Sequence, residues 1–212
     1  LCNVGDQDTA PYETTKAVIV GGTTSIVDFA PQDPGCGLLE SIDYRINNRA
    51  KGKICVDFAL HSLVTEVNDN LYEEIKELPN HGISSIKCFM AYKGSPLHVD
   101  DGTLYKVMRE SKKVGVTPFV HTENADLIDT FQKDCIHAGK TTPRYHAESR
   151  PPFVETEAAQ RAIYLAEQVG SPLFIVHITT EEVCQALRKA REKGLHIFGE
   201  TCTQYLTITK EK

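Results

Sequence analysis

No apolar run in the 212-residue sequence approaches the roughly 20 residues that cross a bilayer, and no signal-peptide pattern opens it. A basic surplus is also missing. A net charge of −6, with 25% charged and 41% hydrophobic residues, describes a globular chain without a nucleic-acid footprint or an anionic-membrane surface. There is no C-x-x-C pair: seven cysteines, an odd number, are scattered at positions 2, 36, 55, 88, 135, 184 and 202. That spacing supports neither a disulfide framework nor a thiolate zinc site and points to a reducing, cytoplasmic compartment. Cys55, Cys88 and Cys202 lie in or beside apolar runs and read as small hydrophobes. A glycine-rich phosphate cradle is absent too, because Gly21-Gly22-Thr23-Thr24 precedes a strand instead of following one. The chain begins at Leu1, not at methionine, on a loop-like Asn3-Val4-Gly5-Asp6, which suggests a trimmed or incomplete N-terminus.

What the sequence contains is a strict alternation of helical and strand-like segments. Apolar strand candidates run over Thr23–Ala30, Ile54–His61, Ser84–Met90, Val116–Thr122, Pro172–Ile178 and Leu195–Thr201. Between them lie helical patterns over Leu38 to about Ala50, Leu71–Leu78, Gly102–Lys113, a stretch after Leu127, Glu155 to about Val169, and Thr180–Lys193; Tyr12–Val20 forms a helix ahead of the first strand. Glu155 and Glu157 fall in the first turn of their helix, where negative charge suits the dipole. The pattern is that of a parallel sheet built from βαβ units in one domain, and both doubly wound sheets and (β/α)₈ barrels satisfy it.

The residue that asks for an explanation is Lys87, in Ile86-Lys87-Cys88-Phe89-Met90-Ala91-Tyr92-Lys93-Gly94. Period two sends Ile86, Cys88 and Met90 to one face of the strand and Lys87 with Phe89 to the other. The lysine either snorkels to solvent from the strand end or loses its charge and becomes a nucleophilic neutral amine. His121, in VHTEN, and His177, in VHIT, end the next two strands. In a barrel the C-terminal strand ends form the active-site face, so three successive strands would aim at one point. A lone strand-end histidine is more often structural; two of them beside an interior lysine favour a metal site.

KCFMAYKG, VHTEN, YHAESRPP, VHIT and GETCTQYL, in this order and spacing, resemble the cyclic amidohydrolases of the dihydropyrimidinase and D-hydantoinase group over nearly the whole chain. The resemblance implies a (β/α)₈ TIM barrel of the metal-dependent hydrolase type, incomplete here with about six βα units in a single partial catalytic domain, 1–212. It implies two zinc ions bridged by N6-carboxylysine at Lys87, with His121 and His177 on the second, more exposed zinc. Tyr92 would bind substrate and donate a hydrogen bond to the oxyanion. The reaction implied is hydrolysis of a cyclic amide or ureide, a dihydropyrimidine or a 5-substituted hydantoin, to an N-carbamoyl amino acid, as in pyrimidine catabolism, by a homotetramer acting on small molecules.

The family pattern also has an H-x-H pair on the first barrel strand and an aspartate on the last. This chain has no H-x-H and stops at Lys212, soon after GETCTQYL. The expectation is that the first and eighth strands with those ligands lie outside it, and that the 212 residues alone, with two open sheet edges, are not a competent enzyme. His61, at its strand end, reads as a packing or supporting residue; Asp28, Asp57 and Glu200 are unassigned interior-facing candidates; His146 reads as ordering its loop; His98, His137 and His196 have no motif support. An allantoinase-type amidase is the nearest alternative, though MAYKG favours the hydantoinase side. A non-catalytic scaffold of the collapsin response mediator type is another, against which retention of Lys87, His121 and His177 counts. A plain α/β binding module has nothing specific in its favour.

Overall fold

The computed structural model describes residues 10–209. Leu1, Cys2 and Asn3-Val4-Gly5-Asp6 lie outside the described residues. The six strands, β1 (Ser25–Pro31), β2 (Asp57–Leu63), β3 (Ser85–Phe89), β4 (Thr117–His121), β5 (Leu173–Ile175) and β6 (Ile197–Gly199), form one sheet in the order of the sequence. Every neighbouring pair is parallel. A doubly wound sheet reverses its order at a switch point, whereas a barrel adds each strand beside the last. Sequential order therefore decides for an open segment of an α/β barrel.

The helices are α1 (Ala10–Val20), α2 (Leu38–Tyr44), α3 (Leu71–Glu77), α4 (Asp101–Val114), α5 (Ala125–His137), α6 (Pro152–Val169) and α7 (Glu181–Glu192). Local chemistry sets several of their ends. Asp100 accepts the Thr103 amide at 2.7 Å to start α4, and Gly115, at φ 73°, closes it in the left-handed region that glycine adopts without strain. Pro152 opens α6, where its missing N–H is no loss. The outward sheet face packs on these helices. Ile86 and Cys88 are fully buried among Leu71 and Ile75 of α3 and Leu104, Val107 and Met108 of α4. The opposite face carries the alternate residues: Lys87 of β3, Phe119 of β4, Phe174 of β5 and Phe198 of β6 share one register level. Aromatic rings tile this face, with Phe119 stacked on Phe174 at 4.2 Å and His61 against Phe119 at 4.6 Å.

Several sequence readings change. β2 starts at Asp57, not Ile54, and runs past His61 to Leu63, because it pairs with β1 along the whole of Ser25–Pro31. His61 is therefore inside the strand, bonded through Nδ1 to the Ser85 hydroxyl. The helix read over Leu38–Ala50 is α-helical only to Tyr44 and continues as a π-helical turn, Arg45–Ala50. Asp28 does not face the barrel interior: it shares a small cavity on the helix side of the sheet with Arg45, Arg49 and Phe58. Asp57 is exposed at the start of β2, and Glu200 is exposed just beyond β6. Among the described residues six cysteines are free; Cys88 is buried and Cys202 half-buried, but Cys55 is exposed and does not act as a core hydrophobe. No helix of the described residues is long and apolar enough to cross a membrane.

Candidate functional site

The C-terminal strand ends bring Lys87, His121 and His177 to the same end of the sheet. Lys87 is only 3% exposed and, among the described residues, makes no side-chain hydrogen bond or ion pair; its Nζ lies 4.8 Å from the centre of the Phe89 ring. Burial lowers its pKa to about 7 from an ordinary value of 10.5, opposed by the weaker pull of Cys88 and Glu200. The snorkelling alternative is thereby set aside. His121 ends β4 two residues beyond Phe119, the register partner of Lys87. His177 follows β5 by two residues, β5 being shorter than the Pro172–Ile178 expected from sequence. His177 Nε2 lies 2.8 Å from His121 Nδ1. Burial, then the charges of His121 and Lys87, push the His177 pKa down to about 4, so its imidazole is neutral near pH 7.

Tyr92 lies just past β3, its ring 5.4 Å from that of His121 and 5.5 Å from that of Phe89. Burial, then the charge of Glu123, raises the pKa of its phenol against the opposing effect of Arg150, which keeps the hydroxyl a donor. Among the described residues only two besides glycine have positive φ, and they are Tyr92 at 64° and His177 at 42°. Side chains other than glycine rarely take this region, and such strain collects at functional sites. The turn at Tyr92 is held from behind by His98, whose Nδ1 lies 3.0 Å from the Ala91 carbonyl.

Glu123, Arg150 and Glu155 were not read as site residues, although the first two stand in motifs that the sequence displays. Glu123 accepts from His121 Nε2 at 2.7 Å, and Arg150 Nε lies 3.6 Å from the same carboxylate. Burial alone would raise the Glu123 pKa, but its hydrogen bond to His121 and the charges of His121, Arg150 and His177 leave it below the usual carboxylate value. Asn124, the next residue, accepts the Leu127 amide at 3.0 Å as the N-cap of α5, and its amide nitrogen donates to Glu157 at 2.6 Å. VHTEN thus combines a strand end, a carboxylate and a helix cap. Glu155, read as a dipole partner, accepts the Thr179 amide at 2.9 Å and so fastens the turn after His177. His146 contacts Arg150 at 3.2 Å, consistent with a loop-ordering role, while His137 and His196 are exposed away from these groups.

Tyr92, His121, Glu123, His146, Arg150, His177 and Tyr205 line a cavity of about 410 Å³, within the size range of small-molecule sites. A wider groove of about 1450 Å³ runs along α7 and β6 and shares Thr179, Thr180 and Tyr205 with it. Among the described residues no three His, Cys, Asp or Glu side chains form a metal-binding group. The donor set nonetheless suits a metal in chemical type: two imidazole nitrogens converge, one of them on a ring held neutral, above a buried amine with no partner of its own. A lysine ammonium binds no metal, so the fit depends on Lys87 supplying anionic oxygens.

A sequentially wound parallel sheet with a cavity over its C-terminal strand ends defines this chain as a segment of an α/β barrel. No family model matches the chain. It is 45% identical over 197 residues to a D-hydantoinase of Rhizobium radiobacter, covering 93% of this chain and 43% of that protein. With the dihydropyrimidinase of Rattus norvegicus it shares 38% identity over 190 residues, 89% of this chain and 36% of the relative. A solved D-hydantoinase structure superposes with a TM-score of 0.90 at 44% identity, covering 94% of this chain and 43% of that one. In sequence and fold the chain is similar to D-hydantoinases and dihydropyrimidinases, and it spans less than half the length of the relatives it matches.

Proposed function

We propose that the full-length protein hydrolyses a cyclic amide ring, a 5,6-dihydropyrimidine or a 5-substituted hydantoin, to an N-carbamoyl amino acid, and that Lys87, His121, His177 and Tyr92 belong to the site that does so. The observation that carries this reading is the buried, unpartnered Lys87 amine at the strand ends that bear two imidazole nitrogens 2.8 Å apart. The names of the relatives supply the substrate class.

In this reading Lys87 reacts as the neutral amine. Its nitrogen forms a bond to the carbon of carbon dioxide, one proton leaves, and the resulting carbamate presents anionic oxygens in place of a costly buried cation. Those oxygens, with His121 Nδ1 and His177 Nε2, would serve two zinc ions. Such ions, when bound, supply Lewis acidity and a lowered pKa for water. Tyr92 keeps its proton at neutral pH and donates it as a hydrogen bond to the substrate carbonyl oxygen as that oxygen gains charge. Zinc as the metal, a cytoplasmic location and a homotetramer belong to the same reading, with the motif resemblance as their support.

Purified full-length protein should open dihydrouracil or a 5-substituted hydantoin. Lys87→Ala should lose both metal and turnover, and short carboxylic acids added with metal should restore part of the turnover. Unchanged metal content in Lys87→Ala, measured by elemental analysis, would count decisively against the proposal.

A further inference from the structure

Beyond the residues assigned above, a continuous chain of polar contacts runs outward from the paired imidazoles. His177 Nε2 meets His121 Nδ1 at 2.8 Å, and His121 Nε2 meets the Glu123 carboxylate at 2.7 Å. Arg150 Nε stands 3.6 Å from the other Glu123 oxygen, while its guanidinium also reaches Ser149 Oγ at 3.0 Å. These groups are largely withdrawn from water: the side chains of His121, Glu123 and Arg150 are 9%, 18% and 16% exposed.

An ionised carboxylate only accepts, so a proton must sit on His121 Nε2. The other nitrogen, Nδ1, then carries the lone pair, which is directed at His177 Nε2, 2.8 Å away. We propose that Glu123 is a positioning residue that holds His121 in the Nε2–H tautomer and orients its ring to bind metal through Nδ1, and that Arg150 in turn holds the Glu123 carboxylate. The alternative role for the same contacts, an ion pair that only anchors the loop after β4, leaves the tautomer of His121 to chance.

The inference rests on the proposed metal site and has consequences separate from catalysis. Carboxylates behind a ligating imidazole fix its tautomer and raise its basicity, and their loss typically weakens metal binding by about 10–100-fold. The test is a zinc titration of full-length wild type, Glu123→Ala, Glu123→Gln and His121→Ala, with circular dichroism to establish folding and nitrogen-15 NMR to read the His121 tautomer. Glu123→Ala should bind zinc about 10–100-fold more weakly. Glu123→Gln, whose amide oxygen still accepts from Nε2–H, should recover part of that loss and keep the tautomer. If His121→Ala loses metal while both Glu123 variants bind like wild type, or if wild-type His121 carries its proton on Nδ1, this inference is overturned and the metal site stands. Should His121→Ala retain wild-type metal, the metal site falls and the inference with it.

Discussion

Lys87 shows how one residue can be unfavourable for folding and suited to chemistry. Its amine is buried without a hydrogen-bond partner among the described residues, and its pKa is lowered to about 7 by burial. Between that value and the ordinary 10.5 the folded chain binds fewer protons than the unfolded one, so metal-free protein should gain stability as pH rises through this window. Below it the full penalty for charging the buried amine remains. Lys87→Met should therefore stabilise the metal-free protein by about 1–3 kcal/mol in denaturant titrations near pH 6, with a smaller gain near pH 10. Tyr92→Phe separates fold from function in another way. It keeps the ring contacts with Phe89 and His121, so its melting temperature should stay within about 2 °C of wild type, while kcat should fall about 10²-fold. At this scale the sequence was readable where parity and strand ends decide orientation, as for Lys87, His121 and His177. Glu123 and Arg150 sit in loops that fold back, and no periodicity governs where loop side chains point. Asp28 was misplaced because a single polar residue in an apolar strand does not itself say which sheet face lies against helices.

At the scale of elements, the site is assembled by the segments that follow the strands. Asn124 ends the VHTEN turn and starts α5 by accepting the Leu127 amide, while its own amide nitrogen ties that turn to Glu157 of α6. Asn124→Ala should cost about 1 kcal/mol from the lost cap, read from chemical denaturation, and should weaken metal binding because the backbone that carries Glu123 is released. The alternation of helix and strand was legible because apolar runs, glycine stops and acidic helix starts agree locally. Boundaries were not. β2 extends to Leu63 because pairing with β1 continues that far, and pairing is a property of two strands that neither segment expresses alone.

For the molecule as a whole, sequential parallel order distinguishes the barrel from the doubly wound alternative, which period and composition left open. That order lines the strand ends up so that β3 and β4, with the turn after β5, contribute Lys87, His121 and His177 to one end of the sheet. Phe119 and Phe174, stacked on one another with His61 alongside, lie at the register level of Lys87 itself, so the amine sits on the same sheet face as these rings. The proposed site stands or falls on Lys87 being carried as a carbamate in the metal-loaded protein. Carbon-13 NMR of full-length protein equilibrated with ¹³C-bicarbonate and zinc tests it most directly. A single protein-bound carbamate resonance, lost in Lys87→Ala and lost on removing the metal, is the predicted result; stoichiometric zinc binding by wild type with no such resonance would contradict it.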